Sequence, residues 1–140
     1  MEKAKRLRYS DISEGDTYSF SRTITEQDVL NFAKLSGDFN PLHINKDFAE
    51  NSQFKANLVH GMLAGSLFST LVGMHCPGEK SLYVSQTLYF KLPIHHNESL
   101  IVRGTVVSMN DSIKLVTLKT EILKKKEVAV FGEAKVKVND

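Results

Sequence analysis

Cysteine is almost missing from this chain, with Cys76 the only one. One thiol cannot close an internal disulfide, and it cannot build a Cys-rich zinc site by itself. Net charge is also nearly missing, at +2 from 18 basic and 16 acidic residues. So small an excess gives no reason to expect a nucleic-acid partner. There is no internal repeat, no low-complexity tract and no Pro/Gly/Ser linker, so residues 1–140 read as a single domain. The basic start, Met1 to Tyr9, leads into no apolar core and does not read as a secretory signal. With the lone thiol, this makes the cytoplasm the expected location.

A long apolar run is also lacking, although one stretch comes close. From Leu58 to Cys76 there is no Asp, Glu, Lys or Arg. A membrane-spanning helix needs about 20 mostly apolar residues. This stretch is broken by His60, Gly61, Gly65, Ser66, Ser69, Thr70, Gly73 and His75. It reads as a helix buried in protein, about Gly61 to Met74, stopped by Cys76-Pro77-Gly78.

What is present is ordinary globular material, 41% hydrophobic and 24% charged. Residues 1–14 are polar and read as an arm. Tyr18, Phe20 and Ile24 alternate with Thr17, Ser19 and Thr23 as in a strand. Thr25 with Asp28 three residues on predicts a capped helix whose face is Val29, Phe32, Ala33 and Ser36. Gly37 is placed to end that helix, and Asn40-Pro41 confirms the break. Asn45 is placed to cap a short helix through Phe48 and Ala49. The last 60 residues alternate. Leu82, Val84, Leu88, Phe90 and Leu92 form one row, interrupted by Gln86, and Val128 to Val138 form another. Leu100–Met109 and Ile113–Leu123 lie between them, joined at Asn110-Asp111. Lys124, Lys125 and Lys126 read as an exposed hairpin turn. The expected fold is α+β, a curved antiparallel sheet of about five strands wrapped around one central helix. Gly61, Ala64, Gly65 and Gly73 would let the sheet approach that helix closely.

Two clusters carry candidate chemistry. In Ser36-Gly-Asp-Phe-Asn-Pro-Leu-His43, a carboxylate (Asp38) and an imidazole (His43) lie five residues apart in a stretch rich in turn formers. A curled loop would bring them together as a water-activating pair, while Asp and Asn also serve as plain turn residues. In Val59-His60-Gly61-Met62, a glycine opens the uncharged helix. The free N–H groups there suit a developing oxyanion, and close packing explains the glycine equally well. His95-His96 reads as a solvated turn, and His75 as a favourable charge at a helix C-terminus. There is no Gly-rich phosphate loop, GxSxG elbow or cysteine nucleophile motif.

Phe32 to His43, with Ala49 six residues beyond, resembles the signature of the R-specific enoyl-CoA hydratases, MaoC-like dehydratases with a hotdog fold. Val59-His60-Gly61-Met62-Leu63 is similar to the start of that family's central helix, and Leu88 to Pro93 to its following strand. The resemblance spans about residues 9 to 138. It implies hydration of a trans-2-enoyl-CoA to the (R)-3-hydroxyacyl-CoA, with Asp38 and His43 activating the water. It also implies Asn40 as a brace for their loop and the Gly61 N–H as oxyanion donor. No metal and no other cofactor is expected. Asn45 departs from the Asp of many relatives while still able to cap a turn. A homodimer paired sheet edge to sheet edge is expected, with each site lined by both subunits. The acyl tail would lie beside the central helix, where Ser69 and Val72 are candidate pocket residues on one face. The alternatives are dehydration on an acyl carrier protein, thioester hydrolysis on the same fold, and an acyl-thioester binder without catalysis.

Overall fold

A computed structural model describes all 140 residues. In chain order the elements are β1 (Thr17–Thr23), α1 (Glu26–Ser36), α2 (Pro41–Ile44), α3 (Lys46–Glu50), α4 (Gly61–Gly65), α5 (Leu67–Thr70), β2 (Ser81–Gln86), β3 (Tyr89–Phe90), β4 (Ser99–Asn110), β5 (Leu115–Lys124) and β6 (Glu127–Val138). A π-helical turn, Leu71–His75, continues α5, so Gly61 to His75 is one nearly unbroken helical segment. Its seam falls at Ser66, whose hydroxyl donates back to the Leu63 carbonyl at 2.6 Å. No helix is long and apolar enough to cross a membrane.

The strands form one antiparallel sheet in the order β1-β4-β5-β6-β2, with β3 also on β6. Register aligns Phe20, Val102, Ile122 and Val130 across four strands. Against this row pack Ala64, Leu67, Phe68 and Leu71 of the helix. Fully burying a side chain of this kind contributes about 1.5–3 kcal/mol. The neighbouring row is narrow at Gly104, where an added Cβ would come within 2.7 Å of Leu71. That glycine is what lets the helix sit down on the sheet. A second cluster lies under the far end of the helix, where Val72 and Cys76 meet Val106, Val116, Leu118, Ala134 and Val136.

Several expectations need correction. The run Leu82–Leu92 is two strands, which gives six strands instead of about five. The break is at Thr87, whose carbonyl takes the space a Cβ on Gly132 would need. Leu82, Val84 and Phe90 are not buried as that row predicts; they are 58%, 57% and 52% exposed. β2 is a sheet edge with a register shift between Tyr83 and Ser85, and none of its residues is fully buried. Gly61 and Gly65 do allow close approach, to Phe90 and Leu88, but Gly73 faces nothing within 4 Å. The arm is tied down, with Lys5 N–H donating to Met74 O at 3.0 Å, Glu79 N–H to Lys5 O at 2.8 Å, and Ile12 buried.

Local signals read well at α1. Thr25 and Asp28 exchange both capping hydrogen bonds, at 3.1 and 2.9 Å. Gly37 closes the helix at φ 81°, with its N–H on Ala33 O. Lys125 and Lys126 make the tight hairpin turn, both at positive φ. Lys124 is not part of that exposed turn; its ammonium reaches Pro93 O and Glu98.

Candidate active site

Once Gly37 has turned the chain out of α1, the loop that follows is ordered by its own polar groups. Asp38 Oδ1 accepts from Asn40 N–H at 3.1 Å. Asn40 Oδ1 in turn accepts from Leu42 N–H at 3.0 Å and caps α2, with Pro41 in the first helical position. The single turn of α2 carries His43 back beneath Asp38.

His43 is held from the other side by the segment before α4. Its Nδ1 lies 2.9 Å from the Leu58 carbonyl. A carbonyl only accepts, so Nδ1 carries the proton and the Nε2 lone pair is left free. Burial lowers the His43 pKa below its ordinary value of 6.5, and His60 lowers it further; the Leu58 carbonyl and Asp38 act in the opposite sense. The result favours a neutral imidazole able to accept a proton at Nε2. One polar atom each from Asp38, His43 and His60 lie within 4.8 Å of one another, a span that a single water can bridge.

His60 has no role in the sequence reading beyond its place in the motif. It is 2% exposed, and its ring stacks on His43 at 3.9 Å between centroids. Its Nε2 donates to the Asp38 main-chain carbonyl at 2.9 Å and lies 4.0 Å from the Asp38 carboxylate. The sequence signal was its position directly before the helix-opening glycine. Asn57 was also missed. Its amide donates to Leu42 O at 2.9 Å and Asn45 O at 3.1 Å, stapling α2 and α3 to the segment that holds His43. Asn45 caps α3 as expected, accepting from Phe48 N–H at 3.0 Å.

Gly61 is the first residue of α4, so its N–H has no carbonyl one turn back to bond. An added Cβ would sit 2.9 Å from the Phe90 ring. Asp38, His43, His60 and Gly61 line one end of a cavity of about 540 Å³ whose remaining wall is mostly apolar, including Phe54, Leu92, Ile94 and Val130. Lys91 is the one lysine of its lining, which holds no arginine.

Ser69 and Val72 do not line this cavity. Ser69 is exposed and borders a separate groove with Tyr83, Gln86 and Leu88. Val72 is 1% exposed in the far core cluster. The expectation that they share a face fails because Met62, Ser66 and Ser69 form the outward stripe, whereas Val72 lies inward within the π-helical turn. His75 is no exposed helix-end charge. It stacks on Phe20 at 4.9 Å, and burial lowers its pKa, with Lys5 adding to the effect. His95 and His96 are not a solvated turn either. Their loop pairs with the segment behind His43, through Val59 N–H to Ile94 O and His95 Nδ1 to Asn57 O. Burial lowers the pKa of His96.

Comparison with known proteins finds clear relatives of this chain. Residues 11–135 match the MaoC like domain. The chain is 38% identical over 130 residues to an "(R)-specific enoyl-CoA hydratase" of Rhodospirillum rubrum, covering 93% of this chain and 90% of the relative. It is 39% identical to a mitochondrial 3-hydroxyacyl-[acyl-carrier-protein] dehydratase of Solanum lycopersicum, over 86% of this chain and 73% of the relative. The solved structure of an (R)-hydratase from A. caviae, described as involved in PHA biosynthesis, superposes with a TM-score of 0.88 at 38% identity, over 91% of this chain and 97% of that one. The sheet-and-helix architecture is therefore the hotdog fold, and this chain belongs to the MaoC-like family.

Proposed function

We propose that this chain is a hydro-lyase that adds water to trans-2-enoyl-CoA, giving (R)-3-hydroxyacyl-CoA, and that it catalyses the reverse dehydration. The observation that carries the reading is the locked tautomer of His43. With Nδ1 committed to Leu58, Nε2 stands free as a base beside Asp38 at the polar end of an apolar cavity. Asp38 and His43 hold one water. As its oxygen attacks C3, a proton passes to His43 Nε2 and the C2=C3 electron pair moves toward the thioester. The oxygen of the resulting enolate accepts from the Gly61 N–H. The dyad then returns a proton to C2, so no net proton is consumed. Neither a metal nor a redox group is needed for this sequence. Asn40 keeps the loop in shape, and the acyl tail lies along the apolar wall. The lone buried thiol, Cys76, suits a reducing compartment such as the cytoplasm.

The working unit of this proposal is a homodimer. Edge strands with exposed apolar side chains are normally covered or paired, and β2 presents Leu82, Tyr83 and Val84 at such an edge. Light scattering behind a sizing column separates a dimer from a monomer.

The test is loss of the conjugated absorbance of trans-2-enoyl-CoA thioesters over a chain-length series. The similarity to the tomato dehydratase supports a second reading, in which the same residues act on acyl-carrier-protein thioesters. Parallel assays on the two carriers decide between them. Release of free thiol would indicate hydrolysis instead, and binding without turnover would indicate a non-catalytic acyl-thioester protein.

A further inference from the structure

We infer that His60 is a positioning residue for the hydration step, one ring that fixes Asp38, His43 and the Gly61 N–H relative to each other. The inference rests on the hydratase reading of the dyad. Asp38 sits in an exposed loop directly after the left-handed Gly37. Its other hydrogen bonds, from Asn40 N–H and to Ser36 Oγ, stay inside residues 36–40 of that same stretch. The bond from His60 Nε2 to the Asp38 carbonyl is the one that ties Asp38 to the body of the fold. The opposite partner, His43, lies face to face with the same ring at 3.9 Å. Gly61 is attached to His60 by a peptide bond. A shift of His60 therefore moves base, carboxylate and oxyanion donor out of register together, and misplacement of about 1 Å at a catalytic group can cost ~10²-fold in rate.

A plain packing role does not account for the choice of histidine. The ring also meets Phe32 edge-on at 4.8 Å, so its surroundings would accept a phenyl ring. A phenyl ring would leave no nitrogen stranded, whereas His60 Nδ1 is buried without a hydrogen-bond partner. Such an atom destabilises the fold. Keeping it is explained by what the other nitrogen does, which is to donate to Asp38.

Steady-state kinetics on trans-2-butenoyl-CoA, melting curves and an NMR titration of the His43 ring test the inference in His60→Phe and His60→Gln. His60→Phe keeps the ring and loses the donor; His60→Gln keeps an N–H near the Nε2 position. His60→Phe is expected to lower kcat at least about 10-fold with KM within about threefold. His60→Gln is expected to recover most of that loss. In both, the pH midpoint of His43 should move up, because the neighbouring imidazole that helps hold it down is gone. The other titratable groups around His43 are Asp38 from the loop, Lys91 from the cavity wall and His96 from the 93–98 loop, and both variants leave them in place. Parental turnover in a folded His60→Phe, or equal losses in the two variants, would overturn the inference. Should His60→Phe fail to fold, His60→Gln decides alone: near-parental kcat with a raised His43 midpoint supports the inference, and a 10-fold loss at parental melting temperature or an unmoved midpoint overturns it. The titration needs no substrate. A parent that does not hydrate enoyl-CoA therefore removes the hydratase reading while still reporting on the coupling of His60 to His43.

Discussion

At its Gly61 end the central helix meets the stacked rings of His43 and His60, an exposed carboxylate and a cavity; at its Cys76 end Val72 and Cys76 sit in a packed, mostly aliphatic cluster. Both buried side-chain nitrogens that lack a partner, His60 Nδ1 and His96 Nε2, belong to the first end. The second end has every feature of a conventional core, with Val72, Cys76, Val116, Leu118, Ala134 and Val136 at 1% exposure or less. One helix thus carries two kinds of order. Where the site is built, polar groups are held at some cost to stability; where it is not, side chains are chosen for packing alone. Substitutions at the two ends should therefore separate activity from stability.

The largest expected effects are on turnover at the first end. Asp38→Asn keeps the shape of the side chain and removes its charge. It should lower kcat by at least about 10²-fold, near 3 kcal/mol of barrier, with little change in melting temperature. Combined with His43→Gln, it should be little worse than the worse single change, since groups acting on one water are not additive. Steady-state rates of the two singles and the double check this. Independent, multiplying losses would mean the two residues serve separate steps.

At the far end the expectation inverts. Val72→Phe adds volume to a site that is already closed and should destabilise the fold by about 1–3 kcal/mol. Its effect on kcat/KM should be the same for short and long acyl tails. Activity lost selectively on long tails would put Val72 in the tail pocket after all.

The smallest effect is on stability against pH. Burial leads the lowering of the pKa of His43, His75 and His96 below 6.5. In each case the folded protein binds fewer protons than the unfolded chain between the two pKa values. Their contribution is thus complete above about pH 6.5 and falls as pH drops through that window, levelling off below the folded pKa. Melting temperature should decline on acidification from pH 7 to 5. The acid limb of kcat/KM should have its midpoint below 6.5, where His43 loses its free lone pair.

The same contrast governs how much could be read from sequence. Local signals with a complete mechanism in a few residues were legible: the Thr25–Asp28 box, Gly37 at positive φ and the Asn45 cap. The motif around Asp38 and His43 was legible as well, because both residues and the turn that joins them lie within six positions. Facts fixed by distant partners were not. The break at Thr87 depends on Gly132, and the exposure of Leu82 and Val84 depends on the edge position of β2 in the sheet. The placement of Ser69 and Val72 was misread because a π-helical turn alters the facing that ideal helical spacing predicts. His60 escaped notice because its partners, Asp38 and His43, are 22 and 17 positions away and only the fold brings them to its ring.

The central claim, that a neutral His43 is the base for water, is tested most directly by one pair of readings on His43→Gln: hydration rate and melting temperature. Loss of at least about 10²-fold in kcat at an unchanged melting temperature is the predicted result. A variant that melts like the parent and still hydrates trans-2-enoyl-CoA within a few-fold of its rate would contradict the account.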